Sequence, residues 1–292
     1  MERAQPAPLA PNRRMFALVG GLTVTAALIT GCDSVSGIPG DPVEATAAAP
    51  TTTAAPTTQA IAPSEPAPSE PLPADAPQVG AVAGHADAVT AVRRWAVDLR
   101  TGADLRAKCW TIPPATVTEM YAAPQPVLAA LTGPGTATAD TVTWRNRTVT
   151  VTVDRESVAS GYACGRVSAA GVEPGYDDAD ARHTVRRYLA RATGKPLNAA
   201  DIEADHPLTC KASPANWDPE GTGNPTAAPL TGDSGKVGNV TSFDEEELRS
   251  EQVRGDYLAV HVPVTTSAGG TRTRTFTVVA TAEGYCIGDV TI

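Results

Sequence analysis

The sequence predicts an α+β protein: a disordered tether, then two tandem units, each an amphipathic helix on an antiparallel sheet closed by a disulfide. Three observations predict this. Residues 32–82 are Ala, Pro, Thr and Ser with little else. A helix-period apolar stripe followed by Thr-Val strands then occurs twice, within 83–172 and 176–292. Each copy places one Cys after its helix and one in its last strand.

The N-terminus comes first. Arg13 and Arg14 precede an apolar run from Met15 to Ile29, and Ile29-Thr30-Gly31-Cys32 closes it. A positive region, an apolar region and small residues before a cut site make an export signal. The last four residues resemble the lipobox of bacterial lipoproteins. That resemblance makes residues 1–31 a signal peptide and Cys32 the lipidated first residue of the mature chain. The run contains Gly20 and Gly21 and is shorter than the roughly 20 residues a spanning helix needs. More than one acyl chain on Cys32 gives firm anchoring, on the outer face of the cytoplasmic membrane.

Without residues 1–31 the chain keeps 20 basic and 31 acidic residues, a net charge of about −11 with histidine neutral. An acidic body argues against nucleic acid, because phosphate binding needs clustered cations. It argues equally against direct docking on anionic lipid headgroups. The Ala, Thr, Pro, Gly and Asp bias matches a high-GC, actinobacterial source.

The tether cannot bury enough apolar surface to offset chain entropy and is expected to be disordered. Its ~45 residues from Asp33 to Pro77 would reach ~140 Å as polyproline II and ~40 Å as a coil. The folded part is expected from about Gly84.

The first helix is read from Val89, Val92, Ala96 and Leu99, with Trp95 beside them. Thr101-Gly102 ends it, with Gly in the left-handed cap. Roughly ninety residues later Val185, Tyr188, Leu189 and Ala192 repeat the stripe, and Thr193-Gly194 repeats the stop. Val92-Arg93-Arg94-Trp95 matches Val185-Arg186-Arg187-Tyr188.

Both units then turn to strands. Arg147-Thr148-Val149-Thr150-Val151 matches Arg274-Thr275-Phe276-Thr277-Val278, each with the period of a half-buried strand. Thr141–Trp144 and Tyr257–Val264 precede them across short polar connections, which predicts hairpins. The third strands are Gly161–Val167 and Gly284–Val290.

The repeat assigns the cysteines within each unit: Cys109 with Cys164, and Cys210 with Cys286. Four cysteines in an exported chain are expected to be oxidised. Aligned without a gap, Cys164 falls opposite Ile287 and Cys286 opposite Ala163. Neighbours in a strand face opposite sides, so either one strand bulges or the two bridges use different faces. The second unit has an insert at 211–251. It ends in Ser242-Phe243-Asp244-Glu245, a capping-box pattern that predicts a short helix.

A helix on a curved antiparallel sheet, repeated behind a lipobox, resembles the NTF2-like (cystatin-like) α+β domains of actinobacterial envelope proteins. The residues carrying this resemblance are the helix from Ala88, the Thr-Val strands and the Gly-Tyr last strand, over 84–292. It implies a cone-shaped pocket between helix and sheet. Some such domains are enzymes, some bind ligands and some are scaffolds.

Catalytic motifs are scarce. Gly232-Asp233-Ser234-Gly235 sits in a Gly-rich loop with no catalytic-His segment upstream. Gly235-Lys236 fails as a phosphate loop, since Leu230 stands where the first Gly belongs. His85, His183, His206 and His261 have no metal-ligand spacing. His261 lies mid-strand, sharing a face with Tyr257 and Ala259 opposite the Leu258-Val260-Val262-Val264 core face. His261 and Tyr257 are therefore the two candidate site residues. The pairs Arg93-Arg94 and Arg186-Arg187 read as exposed helix faces, bonded to acids such as Asp98 or Asp180.

These features describe a non-enzymatic exported lipoprotein. Its expected role is a binding or scaffold module for a small ligand, an envelope polymer or an envelope protein complex, without cofactor or metal. The resemblance leaves two alternatives: an enzyme with a pocket carboxylate or His261 as base, or a structural spacer.

Overall fold

The computed structural model describes residues 71–172 and 174–291. The export segment, Cys32 and the tether to residue 70 lie outside the described residues. From Asp75, which Arg100 holds, the chain already packs on the body. Ala76 and Val82 are buried. Arg93 donates to the Pro77 carbonyl at 3.2 Å, and the Trp144 indole donates to the Gly80 carbonyl at 3.0 Å. The packed chain thus begins ahead of Gly84, because these last Pro-rich residues supply carbonyls to buried side chains.

Helix α1 (Ala86–Thr101) buries Ala88, Ala91, Val92, Trp95, Ala96 and Leu99 and stops at Gly102, whose φ of 72° is left-handed. Three short helices follow: α2 (Leu105–Lys108), α3 (Pro114–Met120) and α4 (Pro124–Leu131). Pro begins the last two, where its missing N–H costs nothing. An antiparallel meander completes the first half: β1 (Thr136–Ala137), β2 (Thr141–Arg145), β3 (Val149–Asp154) and β4 (Arg166–Ala169), with α5 (Arg155–Ala159) between the last two. Asn146 shortens the expected hairpin strand. Its side chain accepts from the Thr148 and Val149 amides, both at 2.8 Å, so pairing starts at Val149. The expected third strand is likewise shorter, with Gly161–Gly165 as loop.

Helix α6 (Asp178–Ala192) opens the second half with a capping box between Asp177 and Asp180. The insert contributes α7 (Pro229–Gly232) and a 3₁₀ turn. Five strands follow: β5 (Val240–Phe243), β6 (Arg249–Arg254), β7 (Tyr257–Thr266), β8 (Thr271–Thr281) and β9 (Gly284–Thr291). The long β7 is the spine, paired with β8 on one edge and with β5 and β6 on the other. No helix starts at Ser242. Ser242 instead pairs with Thr265, and the Asp244 amide donates to the Pro263 carbonyl at 3.1 Å. The ladder on β7 satisfies the backbone that a capping box would otherwise have closed, and the acidic run becomes a turn.

The two halves have separate apolar cores. The first centres on Trp95, Trp144 and Leu131, the second on Phe276, Leu189, Leu230 and Ile287. Burying each such side chain contributes about 2 kcal/mol. They differ in how helix meets sheet. In the first half α4 lies on β2 and β3 while α1 packs beside α4 and α5; in the second half α6 lies directly across β7 and β9.

Cys109 is bonded to Cys164 and Cys210 to Cys286. The alignment misfit has a local cause: Cys164 sits in the loop before β4, where strand alternation does not hold, whereas Cys286 lies within β9. Separately, the β8–β9 register slips at Gly288, with Ile287 opposite Val278 and Asp289 opposite Thr277. Gly288 is the extra residue of a bulge. A Cβ there would stand 2.0 Å from the Trp217 ring, so this Gly lets the insert lie on the sheet.

Candidate functional site

A cleft of about 560 Å³ opens between the halves. Its first wall is the end of β3 and the chain entering β4, which bring Asp154, Glu156, Cys164 and Arg166. The second wall is α6, the loop from His206 to Lys211 and the β8–β9 turn with Glu283. Tyr176, in the connection between the halves, lies at the back.

Asp154 ends β3 opposite Thr141 and precedes α5, but its side chain makes no cap bond. Its carboxylate faces the cleft instead. Burial raises its pKa above the usual carboxylate range; Arg166 opposes this and Glu283 adds to it. Glu156 is exposed at the cleft; partial desolvation raises its pKa, helped by Glu283 and Asp154, with Lys211 and Arg187 opposing. Among the described residues neither Asp154 nor Glu156 has a hydrogen-bond or ion-pair partner. Asp140 on the same wall also has no side-chain partner among the described residues, and Arg155 reaches only the Thr138 carbonyl and His85. Other charges are paired. Arg166 pairs with Asp180 at 2.5 Å and stacks 4.3 Å from the Tyr176 ring. Lys211 pairs with Glu283 at 3.3 Å. Burial pushes the Tyr176 phenol up to about 12, with Asp154 adding to it, so the phenol is a neutral donor.

Behind the second wall lies a buried ionic cluster. Asp201 is 1 % exposed and accepts from Arg187 at 2.7 Å and from Arg191, which also reaches Glu203 at 2.6 Å. Burial works against the Asp201 carboxylate, but the two guanidiniums outweigh it and hold its pKa below the usual value. Trp110 reaches into this cluster from the first half. Arg187 lies 4.9 Å from its ring centroid, and His206 meets the ring edge-on at 4.9 Å. Its carbonyl accepts from His183 Nε2 at 2.8 Å. Burial lowers the His183 pKa to about 4, with the Trp110 hydrogen bond opposing and Arg187 and Arg186 assisting. The ring is neutral in the fold.

The two sequence candidates sit elsewhere or act otherwise. His261 is on the outer face of the second sheet, its Nδ1 2.9 Å from Thr275 Oγ1 and its Nε2 3.2 Å from Glu251. It does not line the cleft. Tyr257 reaches the rim, but its hydroxyl accepts from the Asp218 amide at 2.9 Å and donates to the Asn216 carbonyl at 3.1 Å. Its ring meets Trp217 edge-on, so it anchors the insert. The Arg pairs also differ in part from expectation. Arg94 donates to the Gly161 carbonyl and Arg187 is buried on Asp201 rather than exposed near Asp180, whereas Arg186 pairs with an acid, Glu245, on the helix surface as expected. Helical period alone misses this, because the 198–206 loop folds over a face the stripe leaves polar. Two signals for the cleft are present in the sequence: the Asp154-Arg155-Glu156 run directly off a strand, and Arg166 two residues past Cys164.

Among the described residues no group of His, Cys, Asp and Glu is arranged to hold a metal ion, and no helix is long and apolar enough to cross a membrane. No family model matches the chain, and neither the curated proteins nor the solved structures compared with it contain a match.

Proposed function

We propose that the chain is an exported lipoprotein, anchored through lipid on Cys32, whose body is a binding module of two NTF2-like units with its ligand site in the cleft between them. One observation carries the reading: Asp154 and Glu156, without side-chain partners among the described residues, converge with Tyr176 and the Lys211–Glu283 pair on one cleft. Ligand sites favour such junctions and combine a concave wall with a few placed polar groups. The mixed α+β make-up of both halves, with an antiparallel sheet in each, is in keeping with that family, and the signal segment with its Pro-rich tether supports display beyond the membrane.

A second reading has its own observation. Asp154 and Glu156 have raised pKa values in a cleft, the setting in which carboxyl groups serve as general acids. His261 lies beside Thr275 and Glu251, apart from this cleft. Calorimetric titration of the intact ectodomain with amines, saccharides and wall-derived peptides separates the readings. Saturable binding lost in Asp154→Asn/Glu156→Gln, with the ligand recovered unchanged, supports the binding module. Turnover lost in the same variant supports the enzyme. Binding that survives the double substitution overturns the cleft assignment.

A further inference from the structure

Among the described residues, every hydrogen bond, ion pair and aromatic or cation–π contact crossing between the halves starts, on the first half, from Trp110 or Arg166. Both residues flank the same disulfide. Trp110 follows Cys109, and Arg166 lies two residues past Cys164. The bridge holds the two Cα atoms 5.7 Å apart. It therefore fixes the spacing of the two residues that make these polar and aromatic grips on the second half. The halves share no apolar core, and a small polar joint of this kind leaves relative motion as the default. The two sulfurs differ in access. Cys109 is 1 % exposed, whereas Cys164 is half-buried on the cleft wall.

From this placement we infer that the Cys109–Cys164 bridge is a redox-sensitive clamp that sets the angle between the halves, and so the width of the cleft. The reductant is a dithiol. One thiolate attacks Cys164 Sγ from the cleft; the Cys109–Cys164 bond breaks and Cys109 leaves as a thiolate that takes a proton. The second thiol of the reductant then displaces Cys164 as a thiol. The reductant is oxidised by two electrons to its own disulfide, and the protein gains two thiols. Trp110 and Arg166 are then carried by separate strands of chain, and the joint loosens. The clamp stands whether or not the cleft holds a ligand.

The test is a distance measurement between spin labels on non-canonical residues replacing Glu119 and Thr271, in the full ectodomain, paired with amide exchange. In Cys109→Ala/Cys164→Ala the distance distribution broadens roughly twofold relative to the oxidised protein, as a freed two-body joint requires. Protection of β2 and β3 stays as in the wild type. Trp110→Ala, with the bridge intact, broadens the distribution in the same sense. Treatment of the wild type with a single-thiol reductant, which has no second thiol to release itself, traps a mixed disulfide on Cys164. A distribution unchanged in either variant overturns the inference. So does loss of β2 and β3 protection in the double Cys variant, because the bridge would then stabilise the first half rather than clamp the joint. A mixed disulfide on Cys109 overturns the chemistry.

Discussion

Arg166 and Asp180 join the two halves through an ion pair at 2.5 Å in which the side chains are 11 % and 6 % exposed. Asp180 also accepts from the Asp177 amide at 3.1 Å in the capping box of α6. One carboxylate thus starts a helix and holds a partner half, and burial on both sides keeps water from replacing either bond.

Removing one partner of such a pair leaves a buried charge unmatched. Arg166→Leu is expected to cost about 3 kcal/mol in denaturant unfolding. Arg166→Leu with Asp180→Asn is expected to recover much of that loss, since no unmatched charge remains. A single substitution that costs nothing would show that the pair is solvated.

Stability is expected to fall between pH 6.5 and about 4, the window set by His183. Its folded pKa lies below its unfolded value, so the unfolded chain binds the extra proton first. The favourable contribution is full above pH 6.5, declines through the window by about 3 kcal/mol, and stays lost below it. Asp201, whose folded pKa is depressed, adds a further loss as pH falls through its own folded value. His183→Gln is expected to flatten the upper part of this acid limb in pH-dependent thermal melts.

Asp154 carries the opposite sign. Its folded pKa is raised, so its contribution is present at low pH and lost as pH rises through the folded value. Asp154→Asn removes a carboxylate that burial penalises and is expected to raise the melting temperature at pH 7 while weakening ligand binding. Such a gain in stability at the expense of function marks a site residue. A variant destabilised at pH 7 would mean that the charge has a structural partner.

The mature chain is expected to begin at Cys32 with acyl groups on its sulfur. Mass spectrometry of the membrane fraction checks this, and Cys32→Ala is expected to shift the protein out of that fraction. A soluble wild type with another N-terminus would refute the anchor.

The elements with long periodic patterns were legible. Helices α1 and α6, their glycine stops and the β7–β8 hairpin follow from local spacing, and both disulfides follow from the repeat. What was not legible depended on distant partners. Ser242 carries a helix signal, yet β7 supplies a ladder that no local pattern announces. Arg187 sits on a polar stripe and is buried only because Asp201 folds over it. The cleft belongs to neither repeat alone. Asp154 and Arg166 come from the first half and Glu283 from the second, so no pattern within a single unit announces the cleft, and the search within each unit named His261 and Tyr257.

Photocrosslinking in the intact envelope tests the binding claim most directly. A benzophenone amino acid replaces Lys211 on the cleft wall, or Thr273 on the outer sheet face, in the full-length anchored protein. The expected result is a discrete adduct from position 211, located by mass spectrometry and lost with Asp154→Asn/Glu156→Gln. Adducts from position 273 alone would contradict it.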